Sequence, residues 1–137
     1  MDIQINYWAV LVAGVSNMIL GALWYGPLFG KIWMRLMGLS DERLNELKVR
    51  GMGKLYAMAF VMALVMAYVL AHFANVWPTS GVSGAFQLAF WIWLGFIVTT
   101  MINSVLWEGK SFKLYMLNIC YQLLALVVMA KILVLWR

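Results

Sequence analysis

Apolar residues fill four long stretches of the chain, at about Ile5 to Phe29, Leu55 to Val76, Ala85 to Trp107 and Phe112 to Trp136. Each exceeds twenty residues, and at about 1.5 Å per residue that makes roughly 33 Å of helix, enough to cross a hydrocarbon core of about 30 Å. Unpaired backbone polar groups are too costly in lipid, so each stretch is predicted to be a transmembrane helix. Between the first two the pattern changes: Phe29, Ile32, Trp33 and Leu36 alternate with Lys31 and Arg35, as in an amphipathic helix lying on a membrane surface. Just before it, Trp24, Tyr25, Gly26 and Pro27 read as a helix end, with glycine terminating one element and proline opening the next. After Gly38, Ser40 can cap a second short helix that has Asp41 and Glu42 at its electropositive start. The fold class that follows is all-α integral membrane, a single domain over residues 1–137, with four transmembrane helices and an interfacial helical loop between helices 1 and 2.

The chain also matches itself. At an offset of 83, Met18, Ile19, Leu23, Trp24, Gly26 and Phe29 fall on Met101, Ile102, Leu106, Trp107, Gly109 and Phe112, six of twelve positions. At an offset of 59, Lys54, Leu55 and Tyr56 fall on Lys113, Leu114 and Tyr115, and Ala71 and His72 fall on Ala130 and Lys131. Shared composition is the plainer account of such matches, but the matched Trp, Gly and Lys lie at helix exits rather than in the apolar interior. Two similar hairpins are therefore expected. Helices 1 and 3 cross in the same direction, which makes the repeat parallel, about a pseudo-twofold axis along the membrane normal.

An Asn in the first apolar stretch is followed by Gly21, Trp24, Tyr25, Gly26, Pro27, Phe29, Gly30 and Trp33, and the pattern is echoed by Trp107, Glu108, Gly109, Lys110 and Phe112 before the fourth. This resembles the bacterial membrane family catalogued as domain of unknown function 1761, over nearly the whole chain. The Trp-Tyr-Gly-Pro stretch is its most specific piece. The resemblance implies a small multi-span membrane protein and no assigned chemistry.

Composition agrees: 66% of the residues are hydrophobic and 11% charged, against about half and about a quarter in soluble domains. Charge sets the expected orientation. Lys31, Arg35, Arg43, Lys48, Arg50 and Lys54 lie between the first two helices, and Lys110 and Lys113 follow the third, so eight of the ten basic residues share one side. The opposite side has the uncharged turn Trp77 to Gly81, the acid Asp2, and only Lys131 and Arg137. Positive charge marks the cytoplasmic side, so the expected location is the bacterial cytoplasmic (inner) membrane with both termini outside the cytoplasm. The net charge of +5 then belongs to membrane topology and anionic lipid rather than to nucleic acid. No cleavable leader is evident, and the first helix is expected to act as its own insertion signal.

Candidate chemistry is sparse. The one cysteine, Cys120, cannot form a disulfide within the chain and reads as a small core residue. Ala9, Ala13, Asn17 and Gly21 are spaced by four, as are Ala59, Ala63, Ala67, Ala71 and Asn75, and such ladders are seams for close helix packing. Met58, Met62 and Met66 have the look of a Cu(I) path, but with a single His and a single Cys they read better as core filler. Asn17 and Gln122 are expected near mid-membrane and Asn103 and Asn118 nearer the cytoplasm, either joining helices or lining a polar route. Glu108 is expected to pair with Lys110 or to cap the turn.

His72 and Lys131 occupy matched repeat positions where an ionisable group is a candidate site. With Gln87 and Asn75 they are expected to flank an electropositive outer pocket, snorkelling to the interface being the competing account. One histidine and no paired buried carboxylates argue against an enzyme, and no metal or cofactor is expected, haem included. Two functions remain: an oligomer that binds or passes a small solute or ion, or a structural or accessory subunit that moves nothing. The expected partners are membrane lipids and either further copies of the chain or another membrane subunit.

Overall fold

A computed structural model describes residues 4–38, 41–77 and 81–136. Five helices make up the described chain: α1 (Tyr7–Leu28), α2 (Gly30–Met37), α3 (Asp41–Val76), α4 (Gly81–Leu106) and α5 (Phe112–Leu135). Four of them contain apolar segments of 22 to 26 residues, long enough to cross a membrane, that of α3 being Gly53–Val76. The expected cap at Ser40, the turn through Pro78, Thr79 and Ser80, and the end charges of Asp2 and Arg137 lie outside the described residues.

Local chemistry accounts for the breaks. Asn6 caps α1, its side-chain oxygen accepting from the amides of Trp8 and Ala9 at 3.1 and 3.3 Å. The helix is regular to Leu23 and then widens into a π-helical turn over Trp24–Leu28. There Gly26 leaves helical geometry (φ −109°, ψ −106°), Pro27 has no amide hydrogen to continue the ladder, and the Phe29 amide reaches back to the Trp24 carbonyl at 2.9 Å. Next, α2 ends at Gly38 in a left-handed conformation. Within α3, Gly51 at φ +100° and ψ +89° separates a polar arm from the apolar segment, a backbone state that any side chain would strain. Ser111 caps α5 by accepting from the Lys113 amide at 3.1 Å.

The packing is uneven. Helix α5 sits centrally, lying along α4 and α1 and also against α3, whereas α3 and α4 barely meet. A pseudo-twofold would make the α1–α5 and α3–α4 pairings alike, and they are not. At the end of the bundle where α1 begins and α5 finishes, Asn6 Nδ2 donates to the Trp136 carbonyl at 2.9 Å. The hydrophobic core lies there: Ala9 and Ala13 of α1, Ala67, Ala71 and Ala74 of α3, Ala85 and Ala89 of α4, and Met129, Ala130 and Leu133 of α5 are all buried. The small-residue seam is thus internal to one chain, although Ala59 is exposed and falls outside it. No polar or charged residue is fully buried among the described residues. Large apolar side chains such as Ile19, Val61, Val65, Trp91 and Phe96 face outward, a surface suited to lipid rather than water.

Candidate functional site

The opposite end of the bundle is built from aromatic rings and amides. The hydroxyl of Tyr121 on α5 donates toward the side-chain oxygen of Asn17 at 2.6 Å and lies 2.9 Å from that residue's carbonyl. One turn earlier on α5, Asn118 accepts from the hydroxyl of Tyr25, in the π-helical turn, at 2.7 Å. The two tyrosine rings meet edge to face at 5.2 Å, Trp33 of α2 packs on Tyr25 at 5.4 Å, and Trp24 lies between Phe29 at 4.5 Å and Tyr121 at 6.1 Å. Gly21 makes this close approach feasible, because a β-carbon there would stand 2.9 Å from the Tyr121 hydroxyl oxygen. On the far side of α5, Trp93 Nε1 donates to the Ile119 carbonyl at 2.7 Å and the Tyr115 hydroxyl to the Val98 carbonyl at 2.9 Å. Helix α5 takes part in all of these bonds.

Beside this layer, α2 folds back toward the start of α5 and leaves a cleft of about 440 Å³. One wall is Phe29, Ile32, Arg35 and Leu36; the other is Lys113, Met116, Leu117 and Cys120, with Trp24 between them. Both sets recur every three or four residues, which puts each on one face of its helix. Cys120 is exposed here, which corrects its reading as a core residue. The indole N–H of Trp24, unlike that of Trp93, is buried with no acceptor among the described residues. A second cleft, of about 430 Å³, lies between α1 and α3 and is lined by Val10, Leu11, Val61 and Leu64 with Tyr7 and Tyr68.

The residues singled out from the sequence are placed as follows. Asn17 and Asn118 are brought into the aromatic layer. Asn75 and Asn103 bond carbonyls of their own helices, at Ala71 (2.8 Å) and Thr100 (3.1 Å). Gln122 and Lys131 are half-buried; being nine residues apart, about two and a half turns, they lie on opposite faces of α5. His72 is half-buried, with Nδ1 donating to the Tyr68 carbonyl at 2.9 Å and the ring against Tyr68, and Gln87 is exposed. No hydrogen bond among the described residues joins any two of His72, Lys131, Gln87 and Asn75, and neither cleft is lined by them. Glu108 pairs with Lys110 at 3.7 Å as expected, while Met58 and Met62 point outward. The sequence reading missed Tyr25 and Tyr121 as amide partners, and it took Arg35 and Lys113 as signals of topology, amphipathicity and repeat rather than as parts of a site. The repeat of Lys113, Met116, Leu117 and Cys120 was the available clue to the cleft wall.

No curated protein matches the chain, and neither does any solved structure. The match is to a family, over residues 8–134, and so takes in the Trp-Tyr-Gly-Pro turn, the aromatic–amide layer and both walls of the basic cleft. By that match this chain belongs to the family described as Protein of unknown function (DUF1761).

Proposed function

We propose that this is a protein of the bacterial cytoplasmic membrane, both termini outside the cytoplasm, that binds at its basic cytoplasmic end and conducts nothing through the middle of one chain. Its two hairpins are read as products of duplication that have since diverged in packing. The observation that carries the functional reading is the capture of the amides: Asn17 and Asn118 are held by Tyr121 and Tyr25, and Asn75 and Asn103 by their own helices. The first two join helices and the second two are occupied within their own, so these four amides offer a solute no ladder of free polar groups. The chain is not an enzyme in this reading, and it assembles with further copies or with another membrane subunit through its outward apolar faces.

Reconstitution into proteoliposomes tests it. Solute and ion flux should equal that of empty vesicles; flux that falls when Asn17→Leu and Asn118→Leu are introduced would establish a route through the chain instead. Cysteines placed at Asn45 and Ser80 in a Cys120→Ser background should be labelled in intact cells only at Ser80. Labelling at Asn45 reverses the orientation.

A further inference from the structure

We propose that the cleft between α2 and α5 is a site for an anionic phospholipid of the leaflet at the basic end. Its phosphate is held between Arg35 and Lys113, and an acyl chain lies along Trp24, Ile32 and Leu117. This rests on the reading of that end as a binding surface and names its ligand. The lining divides into two chemistries. Each wall contributes a single cation, Arg35 from α2 and Lys113 from the first turn of α5, and the rest of the lining is apolar. No carboxylate lines the cleft among the described residues. Neither cation is in an ion pair among the described residues, since Glu108 is engaged by Lys110 instead. Two cations in one cleft with apolar walls, and with no counter-charge among the described lining residues, match an anion that has a hydrocarbon tail. A free phosphate would leave the apolar walls bare, and an uncharged lipid would leave the cations without a partner.

Scale and position agree with this. The volume of about 440 Å³ lies within the roughly 300–1,000 Å³ of small-molecule sites. The amphipathic α2 forms one wall, so the cleft opens where an interfacial helix meets the bundle and where headgroups lie. Beside it, the buried indole N–H of Trp24 has no acceptor among the described residues, a deficit that an ester or phosphate oxygen would satisfy.

Cys120 lines the cleft and is the only cysteine in the chain, so its alkylation reports occupancy without any added probe. The test compares alkylation of the intact chain by N-ethylmaleimide in dodecyl maltoside, in nanodiscs of phosphatidylcholine alone, and in nanodiscs that also contain phosphatidylglycerol. Phosphatidylglycerol should slow the reaction further than phosphatidylcholine does, and in detergent it should protect where inorganic phosphate does not. Each cation is expected to favour the anionic lipid by about fivefold, so Arg35→Gln with Lys113→Gln should cost up to roughly 25-fold in selectivity. Slowing that persists unchanged in the double variant is a general effect of the charged surface and overturns the proposal. Equal protection by both lipids keeps the cleft as a binding site but refutes the anionic headgroup. Protection by inorganic phosphate alone replaces the lipid with a soluble anion. Absence of protection by every agent removes both the lipid and the reading of this end as a binding surface. Circular dichroism of the double variant confirms that it is folded.

Discussion

The two ends of the bundle are held together by different physics. Where α1 begins and α5 finishes, alanines from four helices meet with no polar side chain fully buried among them, and contact between backbones does the work. At the other end the helices are kept apart by rings, and the cohesion comes from directed bonds, Tyr121 to Asn17 and Tyr25 to Asn118. A small-residue end fixes helix spacing, and the cleft of about 430 Å³ beside it has only apolar and tyrosine side chains in its described lining. The cleft of about 440 Å³ at the aromatic end differs in carrying two cations, Arg35 and Lys113, in its lining. The contrast suggests which end is scaffold and which end meets other molecules.

The largest effect should come from enlarging the dry end. Ala67 is fully buried while Ala59, eight residues earlier on the same ladder, is exposed. Ala67→Leu is expected to cost about 3 kcal/mol, the upper end of over-packing, and to lower thermal stability in detergent sharply, whereas Ala59→Leu should be nearly neutral. Equal tolerance at the two positions would erase the distinction between the ends. A smaller loss is expected from Tyr121→Phe, which leaves the Asn17 side-chain oxygen without its donor; thermal unfolding should report roughly 0.6–2 kcal/mol, the range of interhelical bonds in membranes. The finest test compares two tryptophans. Trp93→Phe removes a bond to the Ile119 carbonyl, and Trp24→Phe removes an N–H that has no acceptor among the described residues. Both lose the same ring area, so in lipid-free detergent Trp93→Phe should be the more destabilising by about 1 kcal/mol. Should added phosphatidylglycerol raise the unfolding temperature of the wild type but not of Trp24→Phe, the unpaired N–H is part of the lipid site.

Most of the fold was legible because its signals are local. Apolar runs longer than twenty residues, the Gly26–Pro27 break and the glycine at 38 mark their own positions, and the structure places helix ends within a few residues of them. The inner seam was visible as alanines spaced by four, though its limit at Ala59 was not, since periodicity gives a face but not how far the neighbouring helix follows it. The site was much less legible. Tyr25 and Asn118 are 93 positions apart and Tyr121 and Asn17 are 104 apart, so nothing local announces either pair. A tyrosine within an apolar helix counts as one more apolar residue until its hydroxyl is located. Cys120 was misplaced for a similar reason: an almost uniformly apolar helix conceals which of its faces is covered.

The central place of α5 has a consequence for how the protein is made. Chains emerge N-terminus first, and α5 is the last of the five helices, yet α4 rests chiefly on it and α1 packs against it as well as against α3. Until it arrives, α4 has almost no neighbour, because its contact with α3 is slight. Asn6 must also wait for Trp136, 130 positions away, before its side-chain amide finds an acceptor. Biosynthesis therefore passes through a stage in which the other four helices are present without their keystone. A ribosome stalled before residue 112 would hold an early hairpin of α1 and α3, joined by its own alanine seam, and an α4 still without its main neighbour.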